Sequence, residues 1–309
     1  MLRGPASVLY GSNAMGGVVN IVTRHLAGDG VETRLRAGYG SWNTLESELT
    51  NLIHKGRFSS TLSGSYNRTD GHRADMGFEQ YGGNVRLGYE ASEHWNLRGD
   101  VNVTHFNASY PGPVGARLLD GDQRITRGAA SLAVENRYAK SSGGLSLFYN
   151  WGDHRINDGY TPSEGELPPD DRFLSYDDMM GASLYQSLQL FRGSRITLGA
   201  DWFRYGGRAW NEYVSGEQAG STSPLVDMHE DEVAGYVDVR QDVGSWLTLN
   251  AGLRVDHHSR AGTEWVPQAG AAFHLGAGIE LKLSASKGFR YPTLREMHMF
   301  PPQNPDLRP

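Results

Sequence analysis

From residue 31 to residue 288 the sequence alternates apolar and polar residues in long runs, and this period of two restricts the fold more than any other feature. In 246–256, Leu247, Leu249, Ala251, Leu253 and Val255 share one face. Thr248, Asn250, Gly252, Arg254 and Asp256 share the other. The stretch 279–286 repeats the pattern, with Ile279, Leu281, Leu283 and Ala285 set against Glu280, Lys282, Ser284 and Ser286. No helical period of useful length competes. Several runs exceed the roughly five to six residues usual for strands of globular sheets. They match the roughly 9–11 residues that carry a tilted strand across a bilayer.

Thirteen strands are expected: 31–40, 43–53, 56–67, 78–91, 94–107, 125–138, 143–156, 172–191, 194–213, 227–243, 245–257, 266–276 and 279–288. Their connections alternate in length. Turns near 54, 92, 140, 192, 244 and 277 are tight. The segments 68–77, 108–124, 157–171, 214–226 and 258–265 are longer and polar, and only the first hairpin, near Ser41 and Trp42, is short on that side. Short turns on one rim and long loops on the other describe an outer-membrane barrel. A soluble sandwich shares the alternation, but regular connections over a dozen strands favour the barrel. The mean hydropathy of −0.51 fits either case, because each lipid-facing residue is averaged against a polar one. Trp95 and Trp246 fall at the tight-turn rim and Trp42 and Trp265 at the other, where interfacial aromatic girdles belong. With no cysteine, disulfides, thiolate metal sites and cysteine nucleophiles are excluded. A net charge of −6 gives no general attraction to nucleic acid, and none is expected as a partner.

The N-terminus breaks the pattern. In residues 3–24, Gly4-Pro5 reads as a turn, Ala6 to Tyr10 as a short helix stopped by Gly11, and Val18 to Thr23 as a buried strand. The ordered set Arg3, Gly4, Pro5, Leu9, Tyr10, Gly11, Ala14, Gly16, Gly17, Val19, Asn20, Ile21, Val22 and Thr23 resembles the end of the plug domain of TonB-dependent outer-membrane receptors. The far end is similar to a loop segment of the same family, FRxPTxxE followed by NPxLxP. It is carried here by Phe289, Arg290, Pro292, Thr293, Glu296, Asn304, Pro305, Leu307 and Pro309.

The resemblance implies an all-β transmembrane antiparallel barrel. Residues 1–27 would be the C-terminal end of a plug, and 28–309 part of a barrel with long extracellular loops and short periplasmic turns. It also implies 22 strands, so this chain reads as a piece. Most of the plug, a signal peptide and a TonB-contacting segment are expected before Met1, and about nine strands after Pro309. The implied location is the outer membrane of a Gram-negative bacterium, and the implied partners are its lipid, the TonB energising complex and a small metal-chelate ligand. The function expected is active import of a siderophore, haem or cobalamin. A passive porin or structural barrel is the alternative, and an outer-membrane enzyme the third reading.

Candidate site residues follow. His298, flanked by Met297 and Met299, sits between the two loop boxes as some haem receptors place an axial histidine; imidazole and thioether suit haem or copper(I). Tyr110 and Tyr160 lie in stiff proline turns that can display an aromatic to a ligand, and Tyr205, Trp210 and Tyr213 fall near an outer strand end. Asp153-His154 and Asp256-His257-His258 are candidate acid/base pairs, but no ordered serine nucleophile accompanies them, so no catalytic residue is assigned. Asp120, Asp122, Asp170, Asp171, Asp177 and Asp178 offer hard oxygens for loop calcium without the spacing of a calcium loop. No resident cofactor is expected, and the metal, if any, is undefined.

Overall fold

The computed structural model describes residues 2–3, 7–12, 14–19, 26–276, 278–299 and 302–309, with side chains from residue 7 onward. Near the N-terminus β1 (Leu2–Arg3) pairs antiparallel with β2 (Gly17–Val18), and α1 (Ser7–Tyr10) lies between them. The strands β3 (Gly30–Gly40), β4 (Thr44–Lys55), β5 (Phe58–Thr69), β6 (Phe78–Glu90) and β7 (Trp95–Ser109) follow. Next come β8 (Asp122–Arg137), β9 (Ser141–Asn157), β10 (Asp171–Leu188), β11 (Ser194–Tyr213) and β12 (Thr222–Val243). The last are β13 (Leu247–His258), β14 (Gly262–Gly276) and β15 (Ile279–Ser286). Strands β3 to β15 form one 13-stranded sheet in which every strand hydrogen-bonds its sequence neighbours, antiparallel throughout. All thirteen expected strands are present within a few residues of the sequence reading.

The strands run longest at β8 to β12, from 16 to 22 residues, well past what the bilayer requires. Two expected long connections are therefore shorter. Because β12 starts at Thr222, the loop before it is only 214–221. Because β13 and β14 stay paired up to His258↔Gly262, their connection shrinks from 258–265 to 259–261. The expected strand at 18–23 falls mostly outside the described residues, as do Gly4, Pro5 and Asn20.

Register fixes the two faces. One carries Leu132 beside Leu147, Val134 beside Leu145 and Leu253 beside Val237, in unbroken antiparallel alternation. Its large apolar side chains are bare: Leu35 is 75% exposed and Leu132 63%. An apolar surface this extensive demands a hydrocarbon neighbour, and the outer membrane supplies it. Aromatic residues edge this band: Phe58, Tyr89, Trp95 and Trp246 at the tight-turn rim, and Tyr66, Tyr81, Trp151 and Trp265 toward the other. Trp95 and Trp265 thus stand where girdle residues were expected. The opposite face is polar, and on it sits α1, packed against β12, β13 and β14.

Candidate functional site

The short helix is where the inward face becomes specific. Val8 is 1% exposed and joins Ala261, Val266, Phe289 and Tyr291 in one apolar cluster. Burying a side chain of this size contributes about 1.5–3 kcal/mol. Gly252 on β13 makes the close approach possible, since a Cβ there would stand 3.0 Å from a Val8 methyl. Gly11 ends the helix: its N–H donates to the Ser7 carbonyl (2.9 Å) at φ +71°, the left-handed conformation that lets a helix stop.

Directly against Gly11 lies the guanidinium of Arg254, fully buried. Its Nη1 donates to Asp201 (2.5 Å) and its Nε to Asp256, and its head lies 5.7 Å from the Tyr236 ring centre. Asp256 is also fully buried, and Glu232 nearly so. Ionised groups are buried only when paired, and here one arginine draws carboxylates from β11 and β13 toward Gly11 at the end of α1. A second inward group lies toward the outer rim. Glu230 is fully buried, with His258 Nε2 3.3 Å from one oxygen and Arg260 Nε 3.3 Å from the other. His258 Nδ1 accepts the N–H groups of Arg260 (3.1 Å) and Ala261 (3.0 Å), so its proton sits on Nε2, which bonds Tyr205 Oη at 2.7 Å.

The far-end boxes close over this wall. Thr293 and Glu296 form a reciprocal capping box: Glu296 N–H donates to Thr293 Oγ1 (3.3 Å), while the Glu296 carboxylate accepts the Thr293 N–H (2.8 Å) and hydroxyl (2.9 Å). Arg290 adds a two-pronged pairing to the same carboxylate (2.8 and 3.0 Å). The Arg290 guanidinium first, then Thr293, hold the Glu296 carboxyl far below the ordinary glutamate range, at about 2. The box opens a single π-helical turn, Arg295–Met299, whose Glu296 carbonyl accepts the Asn304 N–H (3.1 Å). Asn304 Oδ1 in turn accepts the Asp306 N–H (3.0 Å), giving the NPDL box its bend. Phe289 and Tyr291 point into the cluster around Val8, and Tyr291 N–H donates to Ser12 Oγ of the N-terminal segment (3.1 Å). The Tyr291 ring lies 4.6 Å from the His258 ring, centre to centre. The two ends of the chain, 279 residues apart, therefore meet on one inward patch.

Other candidates are distributed differently. Met297 is 2% exposed and packed, and His298 turns its Nε2 toward Glu230 (4.0 Å), so neither is displayed to a passing ligand. Tyr110 donates to the Asn157 carbonyl (3.1 Å), and Tyr160 exchanges backbone hydrogen bonds with Leu119 (2.9 and 3.0 Å); both tie neighbouring loops together. Tyr205 faces inward, whereas Trp210 lies on the outer wall under Arg208 (5.2 Å to the ring centre). Asp153 and His154, like Asp256 and His257, are consecutive on a strand and so face opposite sides of the sheet. Ser175 and Asp177 both approach the same His154 nitrogen, Nδ1 (3.0 and 3.5 Å), which leaves no serine–imidazole–carboxylate relay. Asp177 and Asp178 are split between the faces in the same way. Among the described residues no three His, Asp or Glu side chains gather closely enough to hold a metal.

Sequence reasoning missed Glu230, Asp201, Arg254 and Ser12 as a group. Arg254 was legible as an inward residue, but nothing in its alternation separates it from other inward charges such as Arg36.

A membrane-spanning antiparallel wall with one lipid-facing and one polar face defines part of an outer-membrane β-barrel. The family model described as TonB dependent receptor-like, beta-barrel, matches residues 24–309, and the chain belongs to that family. It is a transporter family, not an enzyme family. The chain is 23% identical to the iron-regulated outer membrane virulence protein of Vibrio cholerae, over 100% of this chain and 48% of that protein. It is also 23% identical to the vitamin B12 transporter BtuB of Photobacterium profundum, again over 100% and 48%. The chain thus spans about half the length of the curated relatives it matches. A crystal structure of the ferric enterobactin receptor PfeA of Pseudomonas aeruginosa shares the fold, with TM-score 0.73 and 19% identity over 96% of this chain and 49% of that one.

Proposed function

We propose that residues 1–27 are the end of a plug and 28–309 the first thirteen strands of a receptor that imports a metal-chelate nutrient with energy delivered through TonB. The observation that carries this reading is the seat of α1. A helix locked to the lumen wall by Arg254, and covered by the Phe289–Glu296 box, has no purpose in an open pore and an evident one in a gated transporter. The sheet supports the longer-protein reading: among the described residues β3 and β15 each have a partner strand on one side only, and an open edge is not tolerated in hydrocarbon. Relatives with iron-regulated and vitamin B12 names support the metal-chelate class. Under this reading Arg3, Gly4, Pro5, Tyr10, Gly11, Gly16, Gly17 and Asn20 shape the plug end. Phe289, Arg290, Pro292, Glu296, Asn304, Pro305 and Leu307 shape the loop that covers it. The inward turn of His298 favours a siderophore or cobalamin over haem held by that residue.

The test is uptake by cells with and without the gene, supplied in turn with a labelled ferric catecholate siderophore, haem and cobalamin, each with TonB intact or removed. Loss of one uptake in the gene deletion, and equal loss without TonB, is the expected result. Uptake through the protein that persists without TonB would identify a passive pore instead.

A further inference from the structure

Fully buried Glu230 and the buried Nε2 atom of half-buried His298 face each other without touching. Neither Glu230 oxygen, and not His298 Nε2, has a hydrogen-bond partner among the described residues. They stand 4.0 Å apart, too far for a hydrogen bond and too close for an intervening water. A buried carboxylate without a hydrogen bond is costly, so the pair has a strong reason to close.

The other charged groups around Glu230 do not complete it. From β13, His258 has both ring nitrogens committed, Nδ1 to two backbone N–H groups and Nε2 to Tyr205 of β11, so a second proton on its ring would face two donors. From the β13–β14 connection, Arg260 approaches at 3.3 Å but is half exposed and makes no hydrogen bond to the carboxylate. On β13, Arg254 and Asp256 form their own group with Asp201 and Gly11, and on β12 the Glu232 carboxyl shares its hydrogen bond with Asp256 rather than with Glu230. On the loop, Glu296 is occupied by Arg290 and Thr293, and the Tyr291 hydroxyl donates to the Gly262 carbonyl (3.4 Å) while its ring lies against that of His258. Of these groups, His298 presents an Nε2 with no hydrogen-bond partner, and imidazole is the side chain whose charge changes between about pH 5 and 8.

We propose that Glu230 and His298 form a proton-operated clasp, in which protonated His298 closes onto Glu230 and pins the Phe289–Met299 segment against the barrel wall above α1. Closing by about 1 Å gives Glu230, which has ion-pair neighbours but no hydrogen bond, and His298 Nε2 a charge-assisted hydrogen bond. The π-helical turn carries the motion as a unit, because the Thr293–Glu296 box and the Asn304 contact hold it together. Through Tyr291 and Ser12 the closed clasp also holds the N-terminal segment. This mechanism is independent of which ligand the receptor carries.

The chain has no cysteine, so a single spin label on Asp306→Cys reports the segment in the intact receptor in its native membrane. Lowering the pH from about 8 to about 5.5, across the range where imidazole gains its charge, is expected to raise the immobilised-to-mobile ratio about tenfold. His298→Gln should abolish the response, and so should Glu230→Gln. If the Glu230 variant does not assemble, His298→Gln decides the matter alone, since that residue lies on the loop. Arg260→Gln should leave the response in place. A label indifferent to pH in the otherwise unaltered receptor, or a full response surviving in His298→Gln, overturns the proposal.

Discussion

Replacing Gly11 by alanine should free the N-terminal helix from the barrel wall. Gly11 holds φ +71°, a conformation that costs an L-residue about 1–2 kcal/mol. The new Cβ would also lie 3.0 Å from Arg254 Nη2 and 3.4 Å from its Cζ. The guanidinium has nowhere to retreat, because Asp256 holds its Nε and Asp201 its Nη1. Relieving the overlap means weakening one of these buried bonds, worth about 1.5–3 kcal/mol for a charged partner. Together the two effects come to roughly 2.5–5 kcal/mol, a shift of about 60-fold to a few thousand-fold in docking at 1.4 kcal/mol per decade. Ser7→Cys, in a chain with no other thiol, reads the docking directly: Ser7 is 1% exposed, so maleimide labelling proceeds only when α1 lifts. Labelling should accelerate by at least the lower figure in Gly11→Ala. Gly16→Ala is the control, since a Cβ there meets nothing within 4 Å, and it should label at the original rate. A rate in Gly11→Ala within about threefold of the control would refute the view that Arg254 and Gly11 form a tight seat.

Three further outcomes are expected. Phe289→Ala, which empties a site only 3% exposed, should cost about 3–5 kcal/mol of loop docking and expose the Ser7→Cys thiol in the same assay. The Glu296 carboxyl is held at about 2, below its ordinary value, so its stabilisation of the turn is complete above the ordinary glutamate range and is lost only as pH falls through about 2; Glu296→Gln should loosen the Asp306→Cys label even at neutral pH. On the lipid side, Gly128→Ala would place a Cβ 2.0 Å from Cζ2 of Trp151, so the indole must swing off the wall, and its quenching by brominated lipid should change.

Much of the wall was readable in advance because membrane strands obey a local rule. Side chains alternate, the apolar set must meet hydrocarbon, and a slip of one residue would bury charge in lipid, so register is fixed by pattern alone. Leu247 to Val255 and Ile279 to Ala285 needed no tertiary information to be assigned to the outer face. The strand ends were less legible. Above the membrane both faces are wet, the alternation loses its force, and the β13–β14 pairing ran on to His258 and back through Gly262 to Trp265, where a loop over 258–265 had been expected. The loop boxes were recognised as motifs, but their chemistry appeared only in three dimensions: Thr293-x-x-Glu296 proved to be a capping box, and Tyr291 a contact to Ser12.

The sequence by itself determined the strands, their order and which face meets lipid, because each follows from a period of two along contiguous residues. Only the tertiary structure decided which inward charges matter. Asp201, Glu230, Arg254 and His298 stand on three strands and a loop, and they become neighbours because β11, β12 and β13 pair side by side while α1 and the far-end loop pack onto that part of the wall. Alternation gives each of them the same polar face, and burial at that one junction turns four ordinary charged or titratable residues into a seat and a clasp.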